Sequence, residues 1–446
     1  MNKPTISVIG LGKLGAPIAA VWAAKGHTVY GVDVSERVIE MINAGEPPVQ
    51  EPRLHEYLRL AQGRLAASKA TAQAVIDSDV TFVLVPTPSD PETHRFVLDY
   101  VLPACAQIGQ GIGAKDGYHI VVLTSTVMPG ATEGPVLDAL ERSSGKKHGE
   151  GFGLVYSPEF VALGTVIRDF LSPNELLIGY RNERDRDTVS GLYLSVVENM
   201  PPVHAMDWWN AEVTKLALNG FMTSKISYGN FLLQLCAGHP RGNVDAITAA
   251  LGADQRISPK YLSGALPYAG PCFPRDARAL AALAQGMGVT TLIPDAIHLF
   301  NDNHHYHLHH LVWRALPSDR STVGVLGLSY KPGTPVVEES PGMRLAEGLC
   351  MEAPEDYDLT VLGYDPMAND NARQAGIEGF YVVDSLEQCV AMSDVLVVTV
   401  PWPQFYELEH LPLEGKVLID CWRVLDPELL SPGVRYIPYG LGKETR

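Results

Sequence analysis

The sequence predicts an α/β protein in which two parallel-sheet domains are joined by a helical middle domain with a long connecting helix. Three observations carry this expectation. Short β-branched runs alternate with longer helical patterns over the first 200 residues, strand signals vanish from about 205 to 310, and they return from 321 onward. At about 150 residues per domain, 446 residues have room for three, drawn as 1–200, 201–315 and 316–446.

The first run, ISVIG, leads into a helical pattern from Lys13 to Lys25, then TVYGVD, then helical VSERVIEMINAG. Further strands are expected in DVTFVLVPTP (79–88), YHIVVLTST (118–126) and GLVYSPE (153–159). Each ends in residues able to do chemistry, and open α/β sheets bind ligands beyond the carboxyl ends of their strands. Stretches 109–117 and 143–151, rich in Gly and charge, read as solvated tips. The middle opens with the long helical stretch DWWNAEVTKLALNGFMTSKISYGNFLLQLCAG. Strands are expected again in STVGVLGLSYK (321–331), LTVLGYDP (359–366), SDVLVVTVPWP (393–403) and GKVLIDCWR (415–423).

Composition removes several function classes. With 34 Lys+Arg against 51 Asp+Glu, the net charge of −17 repels polyanions, so nucleic acid is not an expected partner. An anionic small molecule then needs a local cluster of cations and backbone N–H groups. The six cysteines (Cys105, Cys236, Cys272, Cys350, Cys389, Cys421) form no CxxC pair and read as reduced thiols in a cytoplasmic protein. Neither a signal peptide nor a membrane span is expected. The run HLFNDNHHYHLHH (298–310) sets His305 and His309 four apart, but without a convergent Cys, Asp or Glu pattern it reads as a solvated or interfacial helix, and no metal is expected.

Gly10, Gly12 and Gly15 form GLGKLG directly after a strand and at the opening of a helix, which marks a Rossmann-like dinucleotide site. The second glycine lets the backbone approach a pyrophosphate, the third permits close helix packing, and the helix N-terminus supplies N–H groups. The candidate contacts are Gly10, Leu11, Gly12, Lys13, Leu14 and Gly15, with Asp33 and Arg37. Asp33 ends the next strand, where its carboxylate can accept both ribose hydroxyls and repel a 2′-phosphate. NAD is therefore expected over NADP.

In AGPCFPRD, Cys272 lies between Pro271 and Pro274 with Arg275 and Asp276 close behind; a thiol in such a loop suits a nucleophile, and a structural cysteine is the alternative reading. Lys215 and Asn219 lie four apart on one helix face, with Val213, Leu216, Ala217 and Phe221 available for the buried side. A solvated lysine is the plain reading there. Glu159 and Thr126 stand at carboxyl ends of strands.

Together these segments resemble the UDP-glucose/GDP-mannose dehydrogenase family over nearly the whole chain. GLGKLG with Asp33, PTP (86–88), STV (125–127), SPEF (157–160), KLALN (215–219), CFPRD (272–276) and GLSYKPGT (327–334) fall in family order, followed by GYDP, the WP pair at 402–403 and DCWRVLD. The resemblance implies Cys272 as covalent nucleophile, Lys215 and Asn219 as oxyanion and sugar contacts, and Glu159, Thr126 and Asp276 as handlers of water and protons. It adds Pro86, Thr87, Pro88, Ser125 and Thr126 on the cofactor side. Phe160, Tyr261, Tyr268, Gly270, Lys331 and Arg423 join Glu159, Lys215 and Asn219 on the substrate side, with Arg256 reaching the nucleotide sugar across a homodimer interface.

The implied reaction is NAD-dependent, four-electron oxidation of a nucleotide-hexose C6 alcohol to the uronic acid through a cysteine thiohemiacetal and thioester. UDP-glucose is the leading substrate, because CFPRD and DQRISPKYL lie nearest that branch; GDP-mannose and UDP-N-acetylhexosamines are the alternatives. A weakly active nucleotide-sugar binder and a 3-hydroxyacid dehydrogenase are readings of other classes, and the second has no use for CFPRD or a second α/β domain. The chain departs from the family pattern at Pro271, at Leu163 in place of a glutamate, and at Glu338 in place of an arginine, for which Arg344 is the candidate compensation.

Overall fold

The computed structural model describes residues 3–352 and 357–442. By contacts the chain groups into two compact units, Met1–Ala217 and Leu218–Arg446. The helix Trp208–Ala237 begins in the first and ends in the second.

The first unit is built on eight strands: β1 (Ile6–Ile9), β2 (Val29–Val32), β3 (Leu65–Ser68), β4 (Val80–Val83), β5 (His119–Leu123), β6 (Phe152–Tyr156), β7 (Leu176–Gly179) and β8 (Val203–Met206). Their order is β3-β2-β1-β4-β5-β6-β7-β8, parallel throughout except between β6 and β7. The central strands β1, β4, β5 and β6 are buried at every position because both faces are covered. Thus Phe82, Ile120 and Val122 enter one core while Val83, Val121 and Leu123 enter the other. Each such side chain contributes about 1.5–3 kcal/mol when buried, against about 0–1 kcal/mol for an exposed ion pair, so the strand pattern rather than surface charge decides the fold.

The second unit carries β9 (Arg320–Leu326), β10 (Asp358–Tyr364), β11 (Phe380–Val382), β12 (Val395–Val398), β13 (Val417–Asp420) and β14 (Arg435–Pro438), ordered β11-β10-β9-β12-β13-β14 and all parallel. The same alternation recurs, with Val323, Val325, Val395 and Val397 on one side and Leu326, Leu396 and Val398 on the other. The helices Trp208–Ala237, Val244–Ala253, Phe273–Gly286 and Leu292–Ala315 form the helical middle of the chain, and from Leu218 onward they group with the second sheet.

Three expectations change. Val203–Met206 is a strand of the first sheet rather than part of a helical middle; its mostly exposed side chains gave no apolar signal. Residues 109–114 belong to the helix Val101–Ala114 instead of a solvated tip, because Gly109 and Gly111 serve close packing: a Cβ on Gly111 would stand 2.6 Å from Ala72 O, and one on Gly109 would strike Ser143. The histidine-rich helix is not simply solvated, since His304 and His309 are buried.

Candidate active site

In the first unit, the turn out of β1 is shaped by its glycines. Gly10 has φ +95°, and a Cβ there would lie 2.7 Å from Leu84 O; a Cβ on Gly15 would run into Gly10 O. Gly12 is exposed, and nothing stands within 4 Å of its missing Cβ. That open position lies beside the N-terminus of the helix Gly15–Ala24, where Leu14 has no polar atom for capping the first turn. An anion held there by backbone N–H groups fits this turn, so the residues present suit a dinucleotide. Leu11 is fully buried and can offer only its backbone; its N–H donates to Asp33 Oδ2 at 2.8 Å. Ser35 N–H donates to Asp33 Oδ1 at 2.8 Å, leaving lone pairs on both oxygens of this partly exposed carboxylate. Lys13 is exposed, and Arg37 lines an open cleft of about 430 Å³ with Met41, Pro48 and Gln50.

The loops after β4 and β5 are tied together. The Thr87 hydroxyl donates to Thr126 O at 2.6 Å and the Ser125 hydroxyl to Val85 O at 2.7 Å, so both hydroxyls fasten loops while exposed Pro86 and Pro88 flank Thr87. Glu212, buried at the start of the helix Trp208–Ala237, accepts from Gly130 N–H at 2.6 Å and from Thr132 N–H at 2.8 Å, which sets the chain just beyond Thr126. The sequence reading missed Glu212, which looks like any charged helix residue.

Beyond β6, Glu159 is partly buried and accepts from the Tyr193 hydroxyl at 2.9 Å. Burial pushes its carboxyl up to about 7, against the opposing pull of the Tyr193 hydroxyl and the Lys215 ammonium. A carboxyl poised there can give or take a proton at neutral pH. A cavity of about 10 Å³ lined by Ser157, Glu159 and Tyr193 is at the lower limit of room for one water. Lys215 is 8% exposed, donates to Glu159 O at 2.7 Å, and lies 4.6 Å from the centroid of the Phe160 ring. This overturns the plain solvated reading; conversely Ala217 and Phe221, offered for the buried side, are exposed. Leu163 packs against the first core.

In the second unit, Cys272 is exposed and occupies the N-cap of the helix Phe273–Gly286, with Pro274 in its first turn. A helix N-terminus favours thiolate over thiol. The buried thiols differ: desolvation pushes Cys105 and Cys389 each up to about 12. One turn beyond Cys272, buried Asp276 accepts from Asn219 Nδ2 at 2.6 Å and from Arg275 Nε at 3.0 Å. Gly270, at φ +81°, brings the cysteine segment against Tyr330, whose Cδ2 would stand 2.5 Å from a Cβ there. Lys331 Nζ lies 5.8 Å from the Tyr330 ring centroid.

Other expected substrate contacts are engaged elsewhere. All five Arg423 N–H donors have partners: both Asp245 carboxylate oxygens, Gly264 O, Cys421 O and Tyr439 O. That leaves it no donor for a substrate. Tyr268 is 4% exposed, with its hydroxyl 3.3 Å from His298 Nδ1. Arg256 is exposed and pairs with Asp254 at 2.6 Å, and Tyr261, half exposed, sets its ring against Phe273. Arg344 contacts Glu339, Asp302 and His305, and Glu338 is exposed. His305 meets an arginine, and His309 accepts from Trp313 Nε1 at 3.1 Å. Among the described residues no group of three or more His, Cys, Asp or Glu converges as metal ligands, and no helix is long and apolar enough to cross a membrane.

Comparison with known proteins identifies the family. Residues 4–197 match the NAD binding domain of the UDP-glucose/GDP-mannose dehydrogenase family, residues 209–303 its central domain and residues 324–427 its UDP binding domain. A UDP-glucose 6-dehydrogenase of Haloferax volcanii is 32% identical, the match covering 94% of this chain and 97% of that one. A GDP-mannose 6-dehydrogenase of Pseudomonas aeruginosa is also 32% identical, over 93% and 95%. The solved structure of a UDP-glucose dehydrogenase from Pyrobaculum islandicum superposes with a TM-score of 0.88 at 32% identity, covering 98% of each chain.

Proposed function

Because the chain belongs to the UDP-glucose/GDP-mannose dehydrogenase family, a family of NAD-dependent nucleotide-sugar dehydrogenases, we propose that it oxidises the C6 alcohol of UDP-glucose to the carboxylate with Cys272 as covalent nucleophile. The observation that carries this reading is the exposed Cys272 thiol at a helix N-cap, one turn from an Asp276 carboxylate hydrogen-bonded to Asn219.

Bound NAD supplies the hydride acceptor, and each two-electron oxidation uses one NAD. The Cys272 thiolate adds to the C6 aldehyde, forming a carbon–sulfur bond and a thiohemiacetal; the second oxidation leaves a thioester, and water cleaves it to acid and thiol. Covalent capture keeps the reactive aldehyde in place between the two oxidations. Lys215 and Asn219 hold the negative oxygen that develops at C6. Glu159, poised near neutrality, takes the proton of the attacking water, with Thr126 and Asp276 as polar support. Asp33 takes the adenosine ribose. Two copies pair through the apolar side chains left exposed on the helices, Phe221, Tyr228 and Leu235 among them, in a cytoplasmic homodimer.

The test is an NADH-release assay over UDP-glucose, GDP-mannose and UDP-N-acetylhexosamines. UDP-glucose should give two NADH per sugar with the highest kcat/KM; preference for GDP-mannose, the substrate named for an equally identical relative, would move the assignment there. Cys272→Ala should form no acid, and acid formation at the wild-type rate in that variant would end the covalent scheme.

A further inference from the structure

The segment that delivers Cys272 to its helix is irregular and buried, and side chains hold it peptide by peptide. Arg423 donates to Gly264 O at 2.7 Å. Asn230, fully buried, accepts from Ala265 N–H at 2.8 Å and donates to Leu266 O at 2.9 Å. His304 Nε2 lies 3.0 Å from Ala265 O, and its Nδ1 lies 2.8 Å from Gln234 Nε2. Asn301, 3% exposed, accepts from Tyr268 N–H at 2.8 Å and donates to Tyr268 O at 3.2 Å. Two residues on, Gly270 seats the chain against Tyr330.

We propose that Asn230, Asn301, His304 and Arg423 are positioning residues for Cys272, fixing residues 264–268 so that an exposed thiol keeps one approach to the aldehyde. The inference rests on the reading of Cys272 as nucleophile. Buried irregular backbone must find hydrogen-bond partners somewhere, and that need alone would be met by any arrangement. Here the partners come from three different elements and close on the four residues from Gly264 to Leu266 and Tyr268. A displaced nucleophile loses rate steeply with small shifts in position, so clamps of this kind are felt in the chemistry and not only in the fold.

Asn301→Ala isolates the effect, and Asn43→Ala is its control. Asn43 makes the same paired amide contact elsewhere, donating to Ala67 O at 2.9 Å and accepting from Ala67 N–H at 2.8 Å. With saturating UDP-glucose and NAD, Asn301→Ala should lose about 10- to 100-fold in kcat. Its KM for NAD should stay within about twofold. It should also release trapped aldehyde, giving fewer than two NADH per sugar, whereas Asn43→Ala keeps two. Should Asn301→Ala fail to fold by thermal scan, the same quantities are read on Asn301→Asp, which keeps the acceptor and volume and loses the donor. Wild-type kcat with two NADH per sugar in the folded variant overturns the proposal, as does equal aldehyde escape from Asn43→Ala. Acid formation by Cys272→Ala strikes the nucleophile reading instead, so the two failures are separable.

Discussion

The two sheets share a skeleton and use it oppositely. Strand order β3-β2-β1-β4-β5-β6 in the first unit corresponds to β11-β10-β9-β12-β13-β14 in the second. Gly10 after β1 has its counterpart in Gly327 after β9, with φ +109° and a Cβ that would lie 2.5 Å from Val400. Gly15 has its counterpart in Gly342, whose Cβ would run into Gly327 O just as that of Gly15 would run into Gly10 O. Asp33 after β2 answers to Asp365 after β10.

The difference lies in what the aspartates have left to offer. Asp33 accepts from the N–H groups of Leu11 and Ser35 and remains partly exposed. Asp365 is 1% exposed and accepts from the N–H groups of Leu328, Ser329, Met367 and Ala368, the Ser329 hydroxyl and Trp402 Nε1. The glycines are five positions apart in the first unit and fifteen in the second, 10 to 15 against 327 to 342, so the second turn is filled by its own chain. One geometry leaves a ligand site and the other makes a structural knot.

The sharpest way to break this comparison is Asp365→Asn. The amide turns an NH₂ group toward backbone donors on one side, and each buried donor left unmatched costs about 1–3 kcal/mol, so stability should fall by about 3 kcal/mol or more. Asp33→Asn should cost about 1 kcal/mol in stability. Its mark falls on cofactor binding, with NAD affinity down about tenfold and discrimination against NADP reduced. Denaturant melts and cofactor titrations check both; equal stability losses would erase the distinction. Gly15→Ala and Gly342→Ala should each cost about 1–3 kcal/mol from backbone collision, and only the first should weaken NAD binding.

A smaller effect separates the units in acid. Burial lowers His27, His119 and His148 in the first unit, His119 to about 3, and His304, His305, His307 and His309 in the second, His304 to about 4 and His305 to about 3. Unfolded histidine binds its proton near 6.5, so each of these groups stabilises the fold above that pH, and the contribution is lost as pH falls, by up to about 1.4 kcal/mol per pH unit. In the first unit burial also raises the carboxyls of Glu51, Glu159, Asp185 and Glu212; these bind protons in the folded state first, which stabilises it as pH falls and opposes the histidines there. Hydrogen exchange between pH 6.5 and 4.5 should therefore find the second unit opening first, and the reverse order would contradict this balance.

Much of this architecture was legible. The central strands announce themselves as short, largely apolar and β-branched runs, and GLGKLG with Asp33 carries its geometry in its spacing. The edge strands were not: Leu65–Ser68, Val203–Met206 and Phe380–Val382 each leave most of their side chains partly or fully exposed. Cys272 could be singled out from its prolines, but its place at a helix N-cap could not. Tyr193, Glu212, Asn230 and Asn301 are single polar residues in helical stretches, indistinguishable in sequence from a solvated face until packing turns them inward. Arg423 shows the converse, since a motif position says nothing of how many donors the fold has already claimed.

The knot at Asp365 limits redesign. Grafting a short glycine-rich turn onto the second sheet would not by itself create another coenzyme pocket, because the carboxylate that would have to greet the ribose is already spoken for by six donors. Any such graft must first give those donors other partners, and the half of the molecule that tolerates such surgery least is the one that looks, strand for strand, most ready for it.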